Sequence, residues 1–99
     1  MVIYEITAVV RPELVEEYEK YMRARHIPDL LATNYFERVY IMRTLENRYR
    51  IQYFARGEEA LREYLDTDAE RLRADFHAHF PEGVELVREV WEVLQEWEN

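Results

Sequence analysis

Apolar and polar residues alternate at the start of the chain. Val2 to Val10 reads VIYEITAVV, with Glu5 and Thr7 on the face opposite Tyr4, Ile6 and Ala8. A period of two with β-branched and aromatic side chains predicts a strand. The period then changes to steps of three and four through Leu14, Val15, Tyr18, Tyr21 and Met22, which predicts an amphipathic helix from about Pro12 to Arg25 that packs on a sheet. Pro12 suits the first helical position and Glu13, Glu16 and Glu17 suit the positive end of the dipole. Outside, Glu16 with Lys20 and Glu19 with Arg23 are spaced as i,i+4 pairs. Pro28 disfavours helix at Ile27, so a break is expected at His26-Ile27, followed by a short turn from Pro28 to Ala32 that Asn34 closes in the left-handed region.

Tyr35 to Leu45 and Arg48 to Ala55 are two strand-like runs with only Glu46 and Asn47 between them, which predicts a hairpin. Two registers are open. A two-residue loop pairs Tyr40 with Tyr53 and Met42 with Ile51, and a three-residue loop pairs Ile41 with Tyr53 and Leu45 with Tyr49. Gly57, Glu58 and Glu59 open a second helix with Ala60, Leu61, Tyr64 and Leu65 as its apolar positions. Thr67 to Glu70 has the T-x-x-E form of a capping box, and Leu72, Phe76 and Phe80 continue the stripe to Pro81, so this helical segment has two parts or one kink. Val84 to Val93 suits a final strand, although Leu86, Val90, Val93, Leu94 and Trp97 would equally suit a helix.

The order strand, helix, strand, strand, helix, strand predicts one α+β domain over residues 1–99: a four-stranded antiparallel sheet with helices on one face. The chain of 99 residues, 48% of them hydrophobic, can fill one core and not two. Its strands carry apolar residues on both parities, such as Ile3 and Tyr4 or Val90 and Trp91, so the second face of the sheet also needs a cover. A second copy is the simplest one, which predicts a homodimer.

Composition narrows the chemistry. There is no Cys, no apolar run of the roughly 20 residues a membrane span requires, and no basic leader, which fits a reducing, cytoplasmic home. A net charge of -8 with scattered Arg makes nucleic acid an unfavourable partner. Twelve Arg against the single Lys20, with five Asn and Gln in total, fits a heat-adapted source. Without Ser or Cys there is no serine or cysteine nucleophile, and Lys20 in EEYEK is a poor Schiff-base amine. Gly57 and Gly83 are too few for a P-loop or a dinucleotide fingerprint.

Ile3-Tyr4-Glu5-Ile6-Thr7, His26-Ile27-Pro28, Ala32-Thr33, Tyr49 to Tyr53, Leu72-Arg73 and His79-Phe80 occur in an order and spacing that resembles a bacterial family of small domains, domain of unknown function 4286. Asn34 replaces the Gly usual after A-T, and Arg11 the Asp often found before the helical Pro. The resemblance spans nearly the whole chain. It implies a dimeric α+β barrel, in which two ferredoxin-like sheets face each other, and hence a strand from Val84 onward. That wide group holds cofactor-independent monooxygenases, haem-handling enzymes and plain ligand-binding or regulatory domains, so it implies no single activity.

His26 stands out, at an expected helix C-terminus whose dipole favours imidazolium and beside Pro28; capping the helix is its structural use. Tyr40, Gln52 and Tyr53 offer hydroxyl and amide groups to an aromatic cavity, or serve as core and interface residues. Arg43 and Arg73 are spaced in no motif but suit a carboxylate clamp, or salt bridges within an acidic chain. Asp75 and His79 share a helix face, yet two ligands make no metal site, and neither a metal nor a cofactor is expected. The expectation is a small dimeric domain with a pocket near His26, Tyr40, Gln52, Tyr53, Arg43 and Arg73 that takes a small apolar or aromatic ligand without catalysis, or that acts as an interaction module. A cofactor-independent monooxygenase-like or isomerase-like enzyme is the alternative.

Overall fold

Strand β1 (Val2–Val10) is one of the two interior strands of the sheet, with a hydrogen-bonded partner on each side. The computed structural model describes residues 1–99. β1 pairs antiparallel with β3 (Arg48–Ala55) and with β4 (Val84–Glu92), and β3 pairs antiparallel with β2 (Phe36–Thr44), giving the order β2-β3-β1-β4. Four helices cover one face: α1 (Val15–Tyr21), α2 (Ile27–Leu31), α3 (Glu58–Thr67) and α4 (Ala69–His79). This is the ferredoxin-like α+β architecture. The segment from Val84 is a strand, because each of its residues finds a ladder partner on β1.

Strand alternation sorts the side chains into two layers. Tyr4, Ala8 and Val10 of β1 and Tyr49, Ile51, Tyr53 and Ala55 of β3 point to the helices and join Tyr18, Tyr21, Met22, Leu30, Tyr64, Leu72, Phe76 and Phe80 in one buried core. The opposite parity, including Tyr40, Met42, Val87 and Trp91, forms an uncovered face on which these residues are exposed.

Three expectations need correction. The helix does not break at His26-Ile27. Instead Met22–His26 widens into a π-helical segment in which the Ile27 N–H donates to Met22 O, five residues back, and α2 continues from it. Pro28 lacks an N–H and would crowd the carbonyl four residues earlier, and the wider turn relieves both problems. The chain ends α2 with Asn34 at φ 68°, as its left-handed tolerance predicts.

The hairpin adopts neither predicted register. Thr44 lies opposite Arg48, Ile41 opposite Ile51 and Tyr40 opposite Gln52, so the loop is Leu45 to Asn47. Asn47 is held by β1: its Nδ2 donates to Val10 O at 2.8 Å, and the Val10 N–H donates to Asn47 O at 3.0 Å. That anchor fixes the loop's end and leaves Leu45 in the left-handed region at φ 58°. The capping box also fails to form. The Thr67 hydroxyl donates back to Glu63 O at 2.7 Å, closing α3, and the residue before α4 is Asp68, with no side-chain cap bond.

Candidate functional site

A cavity of about 30 Å³ lies between the helices and the sheet. Its walls come from β1 (Tyr4, Ile6), the helical run from α1 to α2 (Tyr18, Met22, His26, Leu30), β3 (Ile51), α3 (Tyr64), α4 (Arg73, Phe76) and β4 (Leu86, Arg88). Most of these side chains are apolar or aromatic, because they belong to the helix-facing parity of the strands and the inward stripes of the helices. A water needs about 10–15 Å³ measured this way, so the space holds about two waters.

Two of the residues that line this cavity carry a buried nitrogen without a partner. His26 is buried in the π-helical segment, its ring 5.6 Å from Phe76 and 5.9 Å from Tyr21, and its Nδ1 has no hydrogen-bond partner. Because α2 carries the helix past it, His26 does not sit at a helix C-terminus and caps nothing. Burial pushes its pKa down to about 4, against the pull of Asp75 and Asp29, so the imidazole is neutral near pH 7. Arg73 donates from Nη2 to the Tyr4 hydroxyl at 2.8 Å, while its Nε is buried without an acceptor.

The six residues expected to share a pocket are divided by the sheet. His26 and Arg73 line the cavity. Tyr53 lies on the same side, fully buried, its hydroxyl unpartnered and its acidity suppressed chiefly by burial. Tyr40 and Gln52 lie on the other face, since the observed register sets them opposite each other and one residue out of phase with Tyr53. Gln52 donates to Glu5 Oε1 at 2.8 Å. Arg43 is on the helix side but at the β2 edge, where it pairs with Glu19 Oε2 at 2.9 Å. The salt-bridge use therefore holds for Arg43 and not for Arg73, and the two do not form one clamp.

Two features escaped the sequence reading. Arg88 of the last strand lies opposite Ile6 on the otherwise apolar row Val84, Leu86, Val90, and that misplaced parity is a signal the sequence carries. Tyr21 and Asp75 form a second cluster: the Tyr21 hydroxyl donates to Asp75 Oδ2 and Arg25 Nη2 donates to Asp75 Oδ1, both at 2.7 Å, and His79 stacks on Tyr21 at 4.3 Å. The Tyr21 bond is the chief reason the Asp75 carboxyl stays below its usual range. Nowhere do three or more His, Cys, Asp or Glu side chains gather in a metal-binding group. No helix is long and apolar enough to cross a membrane.

The chain belongs to the family described as domain of unknown function (DUF4286), whose model matches residues 1–94. No curated protein matches it. Among solved structures it is similar to SnoaB, a cofactor-independent oxygenase from Streptomyces nogalater, with 16% identity and a TM-score of 0.76 over 99% of this chain and 97% of that one. It is also similar to a dimeric ferredoxin-like protein from an uncultured marine organism, with 8% identity and a TM-score of 0.76 over the whole of both chains. A third is the heme-degrader MhuD from Mycobacterium tuberculosis with two hemes bound, with 18% identity and a TM-score of 0.69 over 99% of this chain and 100% of that one. At these identities the likeness concerns the fold.

Proposed function

We propose that this domain is a non-catalytic binding module that holds a small molecule in its helix-side cavity and works as a homodimer joined through the open face of its sheet. The observation that carries the reading is the pair of buried, unpartnered nitrogens, His26 Nδ1 and Arg73 Nε, on residues that line a mainly apolar and aromatic cavity. Native interiors rarely leave such atoms unsatisfied, and where they converge on a cavity a ligand or water completes them. At about 30 Å³ the cavity does not fit a macrocycle of heme size, so the ligand of the MhuD structure does not transfer. A cytoplasmic setting agrees with a chain of 99 residues without Cys.

The open face supports the dimer through its charge layout as well as its exposed Tyr40, Met42, Val87 and Trp91. On one side of β1 it presents Arg48 and Arg50 of β3, and on the other Glu85 and Glu89 of β4. A two-fold axis running along the strands, midway between two stacked sheets, sets the basic column of each copy over the acidic column of the other. The dimeric ferredoxin-like neighbour is consistent with such packing.

The test combines sedimentation at micromolar concentration with an NMR fragment screen of the full chain. A dimer whose Met22 and Leu86 methyl resonances shift with a fragment supports the reading. A monomer overturns the interface, and a screen with no fragment at those methyls overturns the binding site. The enzymatic alternative, a cofactor-independent monooxygenase-like or isomerase-like activity, draws on the unpartnered imidazole in an aromatic wall. An imidazole held near pKa 4 is a weak base, which counts against it.

A further inference from the structure

The cavity has a charge signature of its own. It is lined by Arg73, Arg88 and His26 and by no acidic residue, in a chain with 21 acidic side chains against 13 Lys and Arg. Seven of the twelve Arg residues are paired with carboxylates, and both Arg residues of the cavity, Arg73 and Arg88, are among the five that are not. Arg73 keeps a buried Nε–H without an acceptor, and an acceptor-only group is its complement. A carboxylate is such a group, and its two oxygens occupy about the space of the two waters the cavity admits. Ile6, Met22, Ile51, Phe76 and Leu86 line the same cavity, and Arg88 is its exposed lining residue.

We infer that the cavity binds a small organic acid, its carboxylate held by the Arg73 guanidinium beside His26 and its apolar or aromatic body directed toward the rim at Arg88. The inference rests on the ligand-binding reading above and adds the sign of the ligand's charge. Arg88 contributes positive potential at the entrance, which draws anions and repels cations.

The experiment titrates the full chain near pH 7 with benzoate, phenylacetate and octanoate, with their primary amides, and with inorganic phosphate, following affinity by calorimetry and the site by NMR. Each acid is expected to bind at least about tenfold more tightly than its amide, a typical gain for one charge-assisted hydrogen bond. Binding should also move the His26 titration up in pH, since an anion joins Asp75 and Asp29 in favouring the imidazolium and opposes Arg88. Arg73→Gln should bring acid affinity down to that of the amide. Arg88→Gln, at an exposed position, should weaken acid binding severalfold and serves where Arg73→Gln does not fold. Equal binding of acid and amide, or phosphate tighter than every acid, overturns the organic-acid assignment while leaving a binding cavity. No probe at the cavity methyls overturns both.

Discussion

Acidification should destabilise this protein well before its carboxylates protonate, through His26 alone. The folded imidazole titrates at about 4 because burial disfavours its charged form, against 6.5 for an unperturbed histidine. Between those values the unfolded chain binds a proton that the folded chain does not. The contribution is therefore fully present above pH 6.5 and is lost as pH falls toward 4. Linkage gives a loss of about 2 kcal/mol between neutral pH and about pH 5, rising to roughly 3 kcal/mol below the folded value. Asp75 and Glu19, both held below their usual range by Tyr hydroxyls, add their losses only at lower pH. Urea unfolding of the natural chain and of His26→Phe, at one fixed protein concentration and at pH 8 and about 5, isolates the effect. The natural chain should lose about 2 kcal/mol more than the variant over this range. Equal slopes for the two proteins, or a His26 imidazole that titrates near 6.5 by NMR, would refute the burial argument.

Other expected outcomes concern the hairpin, the open face and the Tyr21 cluster. Leu45 holds φ 58° while 77% exposed, so Leu45→Gly relieves a left-handed strain and should stabilise by about 1 kcal/mol in urea unfolding; destabilisation would contradict the loop geometry. Val87 lies opposite Thr7 in the middle of the uncovered face, and Val87→Asp should weaken self-association by about a hundredfold in sedimentation through an uncompensated buried charge. Full retention of a dimer would place the interface elsewhere. Tyr21→Phe removes the hydroxyl that holds Asp75 down, so the Asp75 carboxyl should titrate closer to 3.8 by NMR, and an unchanged value would deny the bond its role.

Element order was legible because each element repeats its own period: β1 alternates over nine residues, and Tyr18, Tyr21 and Met22 keep one helical stripe. Two local features were not. The π-helical turn at Met22–His26 leaves no periodic trace of its own, since it inserts one residue and the helix resumes. The hairpin register depended on a contact between Asn47 and β1, which is remote in sequence, and on Leu45 taking a conformation usually reserved for Gly or Asn. That register decides which side of the sheet each β2 residue faces. Hence Tyr40 falls on the open face with the observed register, and Gln52, next to Tyr53 on β3, falls there by strand alternation alone, while His26, Arg73 and Tyr53 lie on the helix side.

Polar satisfaction then separates structural residues from binding residues among groups of the same chemical type. On the open face Glu5 is nearly buried yet complete: Gln52 Nε2 and Trp91 Nε1 donate to its two oxygens at 2.8 and 3.2 Å, and Arg50 lies 3.6 Å away. Gln52, conspicuous as an amide within a strand, is accounted for by that carboxylate. The tyrosines divide in the same way. Tyr49 donates to Glu19, Tyr21 to Asp75, and Tyr4 accepts from Arg73, so their hydroxyls are used within the fold. Leaving a buried donor unmet costs about 1–3 kcal/mol, and a small domain with a stability of about 5–15 kcal/mol retains few such atoms. The three unpartnered buried side-chain atoms are His26 Nδ1, Tyr53 Oη and Arg73 Nε, all on the helix side of the sheet. The open face thus has its buried carboxylate satisfied and its apolar groups exposed, as an interface between copies requires, while the helix side has its apolar groups packed and leaves buried nitrogens of the cavity-lining His26 and Arg73 unmet, as a binding cavity requires.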